Sequence, residues 1–127
     1  MKAVILCGGH RVPRCPLAMV RPRPLFPLPV GTLLDWLLIH LRQVGTTHAI
    51  LCLDRASRPF GGDLESPKVL VHEEPLPRGP AGCLRDVADL VGRETFIVVE
   101  GGLFLTGNLQ PVVAHHRRQG AALTLAA

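Results

Sequence analysis

At 127 residues the chain has the length of one domain, long enough to bury roughly two-thirds of the surface its unfolded form exposes. Hydrophobic residues at 47% and charged residues at 19% exclude a disordered chain, and four Phe, one Trp and no Tyr leave an aliphatic core. The net charge of +4 rests on 14 basic residues of which only Lys2 and Lys68 are lysine, so the positive charge is mostly guanidinium, suited to bidentate contact with phosphate or carboxylate.

The elements follow in chain order. Ala3-Val4-Ile5-Leu6-Cys7 is a continuous apolar run closed by Gly8-Gly9, the pattern of a strand buried on both faces in a parallel sheet. Residues 10–31 are expected as a loop, because prolines 13, 16, 22, 24, 27 and 29 forbid a stable helix or a central strand. Thr32 is the expected N-cap of a helix from Leu33 to Val44, and Gly45 its stop. Leu33, Leu34, Leu37, Leu38, Leu41 and Val44 share one broad stripe of that helix, while Trp36 and Ile39 lie off it and call for a cover of their own. A second strand is expected over Ala49–Leu53, a loop over 54–68, and a third strand over Val69–His72. A helix follows from Pro80 to Val91, a fourth strand over Thr95–Val99 closed by Gly101-Gly102, a helix over 109–119 with Pro111 in its first turn, and a fifth strand over Ala121–Ala126.

Strands alternating with helices predict an α/β fold: a three-layer α/β/α, Rossmann-like domain over residues 1–127, with a mostly parallel sheet of about five strands. In such sheets ligands bind beyond the carboxyl ends of the strands. The loops at 8–31 and 100–107 both leave those ends, and they become neighbours if the first and fourth strands are adjacent.

Cys7, Cys15, Cys52 and Cys83 show neither CxxC spacing nor a disulfide framework, which is the pattern of small core residues in a reducing compartment. The N-terminal apolar run is too short for a signal peptide, and no apolar stretch reaches membrane-spanning length, so a cytoplasmic location is expected.

At this level of detail the chain resembles the sugar-1-phosphate nucleotidyltransferases, a family of GT-A, Rossmann-like fold. Lys2 to Gly9 (KAVILCGG), Pro16-Leu17, Pro22, Pro24-Leu25 and Pro27 match its N-terminal signature without a gap. Leu33 to Gly45 fits its leucine-rich helix, Gly79 to Leu84 (GPAGCL) its GTAGAL segment, Phe96 to Gly102 its strand ending in GD, and His115 to Thr124 its HRxxGAxxT segment. The resemblance runs along the whole chain and corresponds to the N-terminal half of the family's domain, so the expectation is either a form truncated relative to the family or the first part of a longer protein. It implies a nucleotide site made by Leu6, Cys7, Gly8, Gly9, Arg11, Arg14, Arg23 and Gly82. It also implies a reaction in which a sugar phosphate attacks the α-phosphate of an NTP, giving an NDP-sugar and pyrophosphate.

The departures from the family pattern fall on the chemistry. The Gly-Thr-Arg triplet that grips the triphosphate is replaced by Arg11-Val12-Pro13, the family lysine by Arg23, and the threonine of GTAGAL by Pro80. The metal-binding aspartate is replaced by Gly102, which offers no side-chain oxygen to a hard cation. Both reactants are anions, so the reaction depends on charge neutralisation, and the loss of one electrostatic donor alone typically costs about 10²–10³ in rate. Glu100, expected on the same side of an extended strand, lies roughly 6–7 Å from position 102, too far for a metal–oxygen bond of about 2 Å.

The expectation is therefore a degenerate nucleotidyltransferase-like domain, a regulatory or scaffold module with no catalytic residues, no metal site and no cofactor, Mg²⁺ entering only if the protein is active. Its partner is expected to be a second copy or another protein, met through Trp36/Ile39 or the last strand. Two alternatives stand beside it: binding of a nucleotide or NDP-sugar without transfer, and an active nucleotidyltransferase with rearranged ligands. Nucleic acid is not expected, since Phe26 is the sole aromatic in the basic loop.

Overall fold

The protein is described by a computed structural model covering residues 1–8, 21–53, 67–76 and 78–126. Strand β1 spans Lys2–Leu6. After it come a 3₁₀ turn at Arg23–Leu25, a small antiparallel ribbon of β2 (Pro27–Leu28) and β3 (Gly31–Thr32), and helix α1 (Leu33–Gln43). Strands β4 (His48–Leu53) and β5 (Lys68–Glu73) lead to two short helices, α2 (Gly79–Asp86) and α3 (Ala88–Val91). Strand β6 (Phe96–Glu100) and helix α4 (Gln110–Gln119) follow.

The main sheet has the order β5-β4-β1-β6 and every pairing in it is parallel. Period-2 alternation sorts its side chains between two cores. Ala3, Ile5, Ala49, Leu51 and Leu53 face α1, which buries Leu34, Leu37, Leu38 and Leu41 against them. Val4, Ile50 and Cys52 face the other way, against Cys83, Val87 and Val91 of α2, α3 and the turn between them. The three layers expected from the sequence are thus present, with β1 and β4 buried on both faces.

Helix α1 starts where Thr32 predicts. The Thr32 hydroxyl accepts a hydrogen bond from the Asp35 N–H (3.2 Å) and the Asp35 carboxylate accepts one from the Thr32 N–H (2.8 Å), a reciprocal capping box. Gly31, just before it, has φ of +123°, and a Cβ there would stand 2.8 Å from the Asp35 carboxylate. Glycine is therefore required on two counts.

Three expectations are corrected. The helix expected over Pro80–Val91 is broken at Val87, whose φ of −97° and ψ of 6° leave the α region. The break lets Cys83, Val87 and Val91 all reach the core. The loop expected over 10–31 contains the 3₁₀ turn and the ribbon within its described part. Residues 121–126 form no strand, although their apolar character fits one: Leu123 is 73% and Leu125 85% exposed. A strand needs a ladder partner as well as a pattern, and this segment pairs with no strand of the sheet. It is held to α4 by a hydrogen bond between His116 Nδ1 and Thr124 Oγ1 (3.0 Å).

Candidate functional site

The parallel pairing of β1 with β6 brings two glycine-bearing strand ends together. Beyond β1, the N–H groups of Cys7 and Gly8 both donate to the Cys52 carbonyl (2.9 and 3.1 Å), so the start of the 8–31 loop is tied to β4. Beyond β6, the Gly101 N–H donates to the Leu6 carbonyl (2.9 Å), and the Leu103 N–H returns to the Glu100 carbonyl (3.1 Å). The adjacency expected for the 8–31 and 100–107 loops is therefore observed.

The Leu103–Glu100 bond closes a turn centred on Gly101-Gly102, which corrects the expected relation of Glu100 to position 102. The two do not lie two residues apart on one extended strand, because the chain reverses between them. Glu100 is exposed at the end of β6 in register with Leu6, while Gly101 is buried.

The floor of this cleft is closely packed. A Cβ on Gly101 would stand 2.8 Å from Cys7 Sγ, 3.0 Å from Pro24 Cγ and 3.2 Å from Ile5 Cγ2. Glycine here allows the 3₁₀ turn and the end of β1 to close onto β6. One residue on, a Cβ on Gly102 would stand 3.1 Å from Arg23 Cβ, 3.3 Å from its Cδ and 3.6 Å from its Nε. The Arg23 side chain therefore lies across position 102. Arg23 is exposed and has no ion pair among the described residues.

Of the sequence-expected site residues, Leu6, Cys7, Gly8, Arg23 and Gly102 are gathered here. Gly82 lies on α2, where its α-carbon is packed against Arg78 Cβ, and Arg78 in turn pairs with Asp86. Gly9, Arg11, Pro13 and Arg14 lie outside the described residues. Burial pushes the Cys7 thiol up to about 12, with Cys52 adding to the rise. Burial likewise raises the Cys52 and Cys83 thiols, which share a hydrogen bond. Burial thus favours the protonated thiol at all three positions, the form that is a poor nucleophile.

Sequence reasoning missed how the 103–109 segment is held. The Trp36 indole N–H donates to the Leu105 carbonyl (2.7 Å), and its ring stacks on Phe104 with centroids 5.5 Å apart and planes 13° from parallel. Leu105 and Leu109 pack onto the α1-side core. Trp36 is half-buried, so the cover expected for it comes partly from within the chain; Ile39 remains 48% exposed. The signal was Trp36 itself, an amphipathic side chain off the leucine stripe whose N–H needs a partner.

At position 102 the residues present do not fit the divalent cation implied by the family resemblance. Gly102 supplies no oxygen, the Arg23 stem lies against it, and no group of three acidic, histidine or cysteine side chains gathers among the described residues. Among the described residues no helix is long and apolar enough to cross a membrane.

The chain is 32% identical over 107 residues to N-acetylmuramate alpha-1-phosphate uridylyltransferase of Neisseria meningitidis serogroup B, covering 80% of this chain and 46% of that protein. A Bacillus anthracis structure described as a glucose-1-phosphate thymidylyltransferase, in complex with sucrose, superposes with a TM-score of 0.80 at 20% identity, over 93% of this chain and 50% of that one. A Mycobacterium tuberculosis structure in complex with manganese superposes with a TM-score of 0.56 at 21% identity, over 89% and 57%. The chain thus spans about half the length of the relatives it matches. The sequence profile of the Nucleotidyl transferase family matches residues 2–127, and the chain belongs to that family.

Proposed function

We propose that this nucleotidyltransferase-like domain keeps the scaffold and the strand-end cleft of its family without the transfer reaction, and serves as an interaction module. One observation carries the reading: at position 102 there is a glycine, and the Arg23 side chain lies over it. The carboxylate that would hold a charge-neutralising cation is replaced by a glycine with no ligand oxygen, while Arg23 keeps the positive charge of the family lysine beside it. Transfer between two anions then lacks the neutralisation on which its rate depends.

The surface supports the interaction role. Ile39, Phe96, Val98, Leu123 and Leu125 are large apolar side chains that remain well exposed. Incubation with an NTP, the matching sugar 1-phosphate and Mg²⁺ is expected to yield no NDP-sugar. Metal-dependent product overturns the reading. Light scattering on the eluted protein is expected to give a mass above that of one chain, and a monomer at all concentrations removes self-association as the module's role.

A further inference from the structure

We infer that the outer edge of β6 takes a further strand from a second copy of this chain: residues 121–126 of each copy pair antiparallel with β6 of the other, and the two copies form a twofold dimer. The inference rests on the interaction-module reading and names the module's partner.

The sheet ends at β6, whose strand partner is β1. The outward N–H and C=O groups of β6 therefore have no ladder. One face of the strand is bare as well. Ile97 and Val99 pack on the α1-side core, and alternation turns Phe96 and Val98 to the opposite face. There the core beneath α2 and α3 draws on β1, β4 and β5 and takes nothing from β6, so Phe96 and Val98 stay well exposed.

The same chain carries the complement. Residues 121–126 have a strand's composition, and no backbone–backbone hydrogen bond reaches them among the described residues. Leu123 and Leu125 stand two positions apart, as Phe96 and Val98 do, and are exposed. In an antiparallel ladder Leu125 lies opposite Phe96 and Leu123 opposite Val98, so the four side chains share one face and cover one another. That direction also sets Glu100 opposite Ala121, beside Arg117 and Arg118 in the last turn of α4. A parallel ladder that matched the same apolar pairs would bring Arg93 to this basic turn instead. Charge thus selects the antiparallel direction.

The size of the contact suits a stable dimer. Each ladder runs along the five residues of β6. Two of them supply about ten backbone hydrogen bonds, the number that a standard-size interface carries. Reciprocal exchange uses both ladders and closes the assembly at two chains, where one-way addition would continue into a filament.

The test is sedimentation velocity of the 127-residue chain over a range of concentrations, with backbone hydrogen exchange read on the same samples. A monomer–dimer equilibrium is expected, with the amides of 121–126 becoming protected as the dimer forms. Val98→Lys and Leu123→Asp each place a charge in the apolar contact, and each is expected to raise the dimer dissociation constant about tenfold or more. The double variant is expected to recover much of that loss, because the two introduced charges lie opposite each other across the ladder. Val71→Lys, at an exposed position on the opposite edge strand β5, is expected to leave the constant unchanged. Circular dichroism of each variant confirms that it is folded. A monomer at every concentration, a dimer in which 121–126 stay unprotected, a double variant no tighter than the single ones, or a Val71→Lys protein as impaired as Val98→Lys each overturns the inference. The first outcome leaves the β6 edge to a chain of different sequence, and the others place self-association on another surface. The loss of transfer in the interaction-module reading is scored separately, by NDP-sugar formation.

Discussion

Arg23 and Gly102, far apart in sequence, share one small space at the carboxyl ends of β1 and β6. A Cβ at position 102 would come within 3.1 Å of Arg23 Cβ, tighter than an ordinary van der Waals contact. The glycine that removes the expected metal ligand lies against the arginine stem. The two departures from the family pattern thus meet in space, and several consequences can be measured.

The two adjacent glycines differ in what surrounds them. Gly101→Ala places a methyl against Cys7, Pro24 and Ile5 in a buried turn, and is expected to cost about 1–3 kcal/mol by overpacking. Gly102→Ala meets only an exposed arginine stem that shifts by a few tenths of an ångström, and is expected to cost under about 1 kcal/mol. Urea denaturation of the two variants checks the order, and an equal or larger loss at 102 contradicts the packing described.

The capping box predicts that Thr32→Ala destabilises the protein by about 1 kcal/mol while Thr32→Ser is nearly neutral. Deeper in the same helix, Leu37 is fully buried against the sheet, and Leu37→Ala is expected to cost about 2–5 kcal/mol. Equal effects at the two positions in denaturant melts would mean that α1 is not held mainly by its leucine stripe.

Trp36 is the only tryptophan, so its fluorescence reports on the 103–109 segment directly. Phe104→Ala removes the stacked ring and is expected to increase iodide quenching of Trp36. Trp36→Phe keeps an aromatic face but orphans the Leu105 carbonyl, for an expected loss of about 0.5–1.5 kcal/mol. Unchanged quenching in the Phe104 variant would contradict the stack.

The cysteine environment gives a pH dependence. The folded Cys7 thiol titrates at about 12 against 9.0 for an ordinary thiol, because burial disfavours the thiolate. Between those values the folded protein holds a proton that the unfolded chain releases. The contribution is therefore complete below pH 9 and lost as pH rises toward 12. Stability measured by urea titration is expected to fall over that window, and less so in Cys7→Ala after correction for its own baseline.

Much of the fold was legible because local pattern and tertiary demand agree in it. The apolar run Ala3–Cys7 is continuous because β1 lies between two strands and two helical layers, and Thr32 announces α1 because its cap is local. Legibility failed where a distant partner decides the outcome. Ala121–Ala126 has a strand's composition and no strand to pair with, and the break at Val87 serves a core assembled from β1 and β4. In the site, Gly102 was visible as a missing carboxylate. That Arg23 lies against it, that the chain turns between Glu100 and Gly102, and that Trp36 holds the following segment are contacts between residues remote in sequence or set by a turn, and periodicity carries no trace of them.

The central claim is that the strand-end cleft no longer supports nucleotidyl transfer. It is tested most directly by continuous pyrophosphate-release assays with each of UTP, GTP, CTP and dTTP and its matching sugar 1-phosphate, run in Mg²⁺, in Mn²⁺ and in EDTA. The account predicts the same blank rate in all three conditions for every pair. Release that rises with protein concentration in Mg²⁺ or Mn²⁺ and vanishes in EDTA would contradict it.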